Sequence, residues 1–127
     1  MKTKILIILG ILLFTLLIAC KTQTPTEPTC NTKDCFITKA NNCENVNIDV
    51  TEDFGTVNYA SKDCVFTKTL ISTNGTEETK KLLEGKTLSC KYEQSKFDQR
   101  WVNSIIFGIE YCEGELKDRI VDMLAFL

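Results

Sequence analysis

Apolar positions along the chain change their spacing several times, and each change marks an element. Ile5 to Ala19 run without a charge, and residues 21–29, KTQTPTEPT, then hold both prolines and no large apolar side chain. Asp34 stands where it can cap a short helix over residues 35–42, stopped by Asn41-Asn42. From Asn45 the period falls to two, with Val46, Ile48 and Val50 alternating against Asn47, Asp49 and Thr51. After a turn at Glu52–Gly55, Val57 and Tyr59 resume the alternation, so residues 45–60 are expected to form a hairpin. Cys64 to Ser72 is β-branched and aromatic, with Cys64, Phe66 and Leu70 on one face and Val65 and Ile71 on the other, which predicts a central strand.

Asn74-Gly75 ends that strand, and Thr76-Glu77-Glu78 opens a helix that should run to Glu84, with Leu82 and Leu83 inward and Gly85 as its left-handed cap. Thr87 to Glu93 alternates again, placing Leu88, Cys90 and Tyr92 inward. From Phe97 the spacing becomes helical. Phe97, Trp101, Ile105 and Cys112 share a stripe beside Val102, Gly108 and Ile109. Gly114 should end or kink this helix before a second one carrying Leu116, Ile120, Met123, Leu124 and Leu127. Strands early and helices late predict an α+β fold: a small antiparallel sheet of about four strands with helices packed on one face.

The first twenty residues concern location. Lys2 and Lys4 precede the apolar run, which is shorter than the roughly 20 residues a membrane-spanning helix needs. A plain secretory cut after Ala19 would leave the large Leu17 where a small residue is wanted. Leu17-Ile18-Ala19-Cys20 instead resembles the lipobox of bacterial and archaeal membrane lipoproteins. The resemblance covers residues 1–20 alone. It implies cleavage of residues 1–19, lipidation of Cys20 as the new N-terminus, and a cell-membrane location facing the extracytoplasmic side. Residues 20–29 then form a lipidated cysteine and tether, and residues 30–127 one domain. Nine extended tether residues would span about 27 Å.

Composition narrows the chemistry. Loss of Lys2 and Lys4 leaves 13 basic against 17 acidic side chains, a formal charge of −4. The scattered basic residues form no footprint for nucleic acid. There is no histidine, which removes the commonest metal ligand and general base. Beyond Cys20 stand Cys30, Cys35, Cys43, Cys64, Cys90 and Cys112. In an exported domain an even set of six points to three disulfides, whose pairing the sequence leaves open among fifteen possibilities. No Cys-x-x-Cys spacing points to a metal or a redox pair. Cys64, Cys90 and Cys112, on inward faces, are expected to be buried.

Few constellations carry chemistry. Asp49, Thr51 and Asp53 alternate like calcium ligands, but Phe54 and Ala60 occupy positions that need glycine and glutamate. Glu110, Glu113, Glu115, Asp118 and Asp122 alternate with the apolar stripe and fit a solvated face better than a catalytic pair. Asp98, Arg100 and Trp101 bring together groups that could hold a carboxylate or a sugar ring, although a lone Trp in helical register usually packs in a core. Asn74-Gly75-Thr76 matches a glycosylation acceptor, and it also suits a helix cap. With no nucleophile motif, cofactor motif or metal motif, the expectation is a lipid-anchored binding or interaction module whose partner is an unknown protein or small molecule. Arg100 and Trp101 are its candidate contacts, and no catalytic residue is assigned. A small carboxylate hydrolase is the alternative, and a surface protease inhibitor or protective protein using the loop Ser72–Thr76 is a third.

Overall fold

The computed structural model describes residues 29–126; the expected signal segment, Cys20, residues 21–28 and Leu127 lie outside the described residues. Strands β1 (Val46–Glu52), β2 (Gly55–Lys62), β3 (Val65–Thr73), β4 (Thr87–Lys91) and β5 (Cys112–Glu113) form one antiparallel sheet in sequential order. Helices α1 (Lys33–Asn41), α2 (Glu77–Leu83) and α3 (Glu115–Ala125) complete the α+β fold. The fifth strand, absent from the sequence-based expectation, is the two-residue pairing of Cys112–Glu113 with Ser89–Cys90.

The predicted hairpin forms with Val46 facing Ser61 and Glu52 facing Gly55. Gly55 has φ +147°, and a Cβ there would stand 2.0 Å from the Ser72 carbonyl oxygen, so no side chain fits. The turn between β2 and β3 places Asp63 (φ 51°) and Cys64 (φ 60°) both in the left-handed region. Two positive φ angles give the turn the twist of the strands it joins. The turn between β1 and β2 thus marks the lower end of the sheet, and Asp63-Cys64 the upper end.

One face of the sheet is covered. Phe36 of α1 meets Tyr59, Phe66 and Phe97 with ring centroids 6.0–6.4 Å apart, and Phe66 stacks on Trp101 at 5.6 Å. Each such fully buried ring removes enough apolar area from water to contribute roughly 2–3 kcal/mol. Leu116 and Ile120 of α3 close the core at the lower end. Among the described residues the other face is bare and rich in short polar side chains. There Asn58 donates to Asp49 at 2.7 Å, and the Thr69 and Thr87 hydroxyls pair at 2.8 Å. β3 is central, as expected, but the outward Ile71 is exposed, and among the described residues no second layer covers it.

Thr32 caps α1, its hydroxyl accepting from the Cys35 amide, where Asp34 was expected; Asp34 lies inside the first turn. Thr76 caps α2, and Gly85 follows it with φ +74°. Of the two leucines expected inward on α2, Leu83 is buried and Leu82 is exposed. The predicted helix from Phe97 does not form. Two short 3-10 turns, Gln99–Val102 and Ile109–Tyr111, stand in irregular backbone instead. Asp98 caps the first through its carboxylate, and Gly108 adopts φ +68°, where a Cβ would meet the Trp101 Nε1 at 2.3 Å. Phe97, Trp101, Val102 and Ile109 are buried all the same. Apolar spacing set which residues go inside, but not the backbone that takes them there.

The six described cysteines form the disulfides Cys30–Cys35, Cys43–Cys64 and Cys90–Cys112. Cys90 and Cys112 are buried as expected. Cys64 is half-buried, because its place in the tight turn lifts it out of the strand's inward face.

Candidate functional site

The segment that leaves β4 and returns to β5 is closed at its base by Cys90–Cys112. Three hydrogen bonds from its first residues fix it to the end of α1. The Tyr92 hydroxyl donates to the Ala40 carbonyl at 2.6 Å, the Ser95 amide donates to the Asn41 carbonyl at 2.8 Å, and the Phe97 amide donates to Asn41 Oδ1 at 3.2 Å. The Tyr92 oxygen lies 2.6 Å from the Ser61 hydroxyl, and burial raises its pKa. Tyr92 is thus held from two sides, so the wall it forms is rigid.

Against this wall the segment folds into an open groove of about 890 Å³ lined by Tyr92, Trp101, Phe107 and Tyr111, with Lys91, Glu93, Lys96, Asp98, Arg100 and Glu110. Lys91 ends β4, and the Tyr92 amide donates to the Cys64 carbonyl, so the groove sits at the upper end of the sheet. A second hollow of about 590 Å³ adjoins it, sharing Arg100, Phe107 and Glu110.

Arg100 is exposed but committed. Its Nε donates to Asp98 Oδ1 at 2.9 Å and its Nη2 to Asp98 Oδ2 at 2.6 Å, while the guanidinium lies 4.1 Å above the Phe107 ring. The same contact holds the Asp98 carboxyl below its ordinary pKa, chiefly through the side-chain hydrogen bond from Arg100. Lys96 is paired with Glu93. Three cationic and three anionic side chains line the groove, so it carries no net charge. A fork already occupied by a carboxylate leaves little of Arg100 for an anionic ligand. Rings and balanced charges suit a ligand with an apolar face and dispersed polar groups.

The two expected contacts are therefore brought together in one groove, in different ways. Trp101 is buried, stacked on Phe66 and edge-on to Phe97 and Tyr92, and offers the groove only a margin. Tyr111, three-quarters exposed, is the free ring at the rim. Sequence analysis missed Tyr92, Phe107 and Tyr111 as lining residues. The available signal was the gathering of rings between Cys90 and Cys112.

The remaining candidates lie elsewhere. Asp49 and Thr51 are on the bare sheet face, where Thr51 pairs with Thr56 at 3.1 Å. Glu113, Glu115, Asp118 and Asp122 are exposed, and Lys86 holds the Glu115 carboxyl below its ordinary pKa, chiefly by a side-chain hydrogen bond. Among the described residues no group of three or more Cys, Asp or Glu side chains is placed to hold a metal ion. The loop Ser72–Thr76 is pinned: the Asn74 amide donates to the Phe54 carbonyl and Asn74 Nδ2 to the Asp53 carbonyl, both at 2.9 Å.

Lys68 went unnoticed in the sequence. It lies on the covered face of β3, fully buried between Tyr59 of β2 and Leu88 of β4. Its Nζ donates to the Ser104 carbonyl at 2.8 Å and stands 5.7 Å from the centre of the Phe66 ring. Burial pulls its pKa from 10.5 down to about 8. The amine pins the irregular segment over the sheet and so supports the groove from below.

No protein-family model, curated protein or solved structure matches this chain.

Proposed function

We propose that the protein is a lipid-anchored, extracytoplasmic binding module that takes a neutral or zwitterionic ligand into the groove formed by residues 91–111. The observation that carries the reading is the groove itself: a concave site with aromatic walls, balanced charges and a frame held by a disulfide and by hydrogen bonds to α1. Sites of this size and lining are the usual places for small ligands. The anchor rests on Leu17-Ile18-Ala19-Cys20.

Two experiments test the two halves. A Cys20→Ala variant should stay unprocessed or be shed, and normal processing with unchanged detergent partitioning would remove the lipid from the reading. Titration of the purified mature protein with neutral oligosaccharides and with uncharged peptides, followed by the emission of Trp101, should reveal a binder whose affinity falls at least tenfold in Tyr111→Ala. That loss corresponds to about 1.4 kcal/mol. Binding that ignores Tyr111→Ala and Arg100→Ala while the fold is intact would place the site elsewhere.

A further inference from the structure

The core leaves a group of large apolar side chains uncovered at the lower end of the sheet. Phe54 in the turn between β1 and β2 is 37% exposed, Met123 40%, Leu124 45% and Phe126 90%. Phe54, Met123 and Leu124 surround a hollow of about 280 Å³ floored by Leu70, Leu83 and Ile120. An apolar end of this kind on a small domain marks a surface that something else covers.

The place where the described chain begins indicates what covers it. Thr29 bridges to Asn47, with the Cys30 amide donating to the Asn47 carbonyl at 3.1 Å, so the tether departs near the start of β1, at the upper end. β2 has eight residues and is about 26 Å long at roughly 3.3 Å per residue. Nine extended residues from Cys20 to Thr29 reach about 28 Å at roughly 3.1 Å each. Residues 20–29 are therefore long enough for the lower end to reach a membrane that holds Cys20.

We infer that the lower apolar end is a foot resting on the lipid bilayer, with the groove held facing away from the membrane. This orientation rests on the lipid anchor proposed above. The inverted orientation would leave the apolar end in water. A second copy is a poor occupant, because foot-to-foot contact would set the exposed Asp53 and Asp122 beside their counterparts, and facing like charges repel. On a bilayer the same carboxylates stay among the headgroups while Phe126, Leu124 and Phe54 enter the boundary. Contact through so few side chains would be marginal from solution. Tethering makes it intramolecular, at an effective concentration on the order of millimolar.

The test uses the mature lipidated protein reconstituted in uncharged phosphatidylethanolamine–phosphatidylcholine vesicles with brominated acyl chains, which quench nearby indoles. Trp101, the only native Trp, reports on the groove end, and Phe126→Trp and Phe54→Trp report on the foot. Trp101 should keep its emission, both reporters should lose emission, and Leu124→Asp should restore the emission of the Phe126→Trp reporter. Silent reporters in a lipidated, vesicle-bound chain would overturn the foot and leave the anchor standing, as would a quenched Trp101 or a dimer that hides the patch. A chain without lipid by mass, failing to float with vesicles, would overturn the anchor and the foot together.

Discussion

Replacing the buried amine of Lys68 with an apolar chain of similar length should make the protein more stable. In the fold the Lys68 pKa is about 8 against an ordinary 10.5, and at 1.36 kcal/mol per pH unit the charged form costs roughly 3 kcal/mol at neutral pH. Lys68→Met removes that cost and nearly conserves volume. It also leaves the Ser104 carbonyl without the 2.8 Å bond, a loss of about 1 kcal/mol. The expected gain is about 2 kcal/mol. Its size changes with pH in a defined way. A lowered folded pKa means that the unfolded chain binds more protons between about pH 8 and 10.5, so wild-type stability rises with pH through that window. The full penalty applies below it. Tyr59, raised to about 12 by burial and by Glu52, acts the other way above its ordinary pKa of 10, so the measurement belongs below that point. By linkage the advantage of Lys68→Met should shrink from about 2 kcal/mol near pH 7 to near zero at about pH 9.5. Urea unfolding followed by Trp101 emission, with disulfides intact, gives both values. A variant less stable than wild type at neutral pH, or an advantage that stays constant with pH, would refute the reasoning.

Three further outcomes follow from the same framework. Replacing Cys90 and Cys112 together with alanine opens a loop of sequence separation 22; by loop-closure entropy it should lose about 3 kcal/mol, read as a lower melting temperature, with reductant, which opens all three bonds, lowering it further. Gly108→Ala should cost at least about 2 kcal/mol, from positive φ and from displacement of the Trp101 indole, with a red shift of Trp101 emission. Gly85→Ala, where φ is +74° and nothing stands within 4 Å, should cost only about 1 kcal/mol and leave the emission alone.

Legibility from sequence followed the strength of each periodic signal. Alternation located β1 to β4 to within two residues at nearly every boundary, because a sheet with one bare face leaves a clean two-residue pattern. The same alternation put Lys68 between Phe66 and Leu70 on the inward face. Its charge made the position easy to pass over, although Ser104 of a distant segment satisfies it. Residues 97–111 misled because the spacing from Phe97 to Ile109 fits a helix, while the controlling feature was the exclusion of any side chain at Gly108 by Trp101. The groove is built from that segment, so its walls stayed hidden while Arg100 and Trp101 were visible by chemical type. β5 is too short for any periodicity to announce it. Its position follows from the pairing of Cys90 with Cys112.

The arrangement of disulfides also has a mechanical meaning. Consider a pull between a ligand held in the groove and an anchor at Cys20. Force entering at Cys30 crosses to Cys35, passes along α1 to Cys43, and crosses again to Cys64 in the turn between β2 and β3. The β1–β2 hairpin lies inside the loop closed by Cys43–Cys64 and carries no tension along its backbone. At the other end of the path, Cys90–Cys112 clamps both ends of the segment that forms the groove. From Cys64 the load has no further disulfide to cross and runs through β3, α2 and β4 to Cys90, so the antiparallel pairing of β3 with β2 and β4 resists extension there, while the segment that forms the groove stays clamped at both ends.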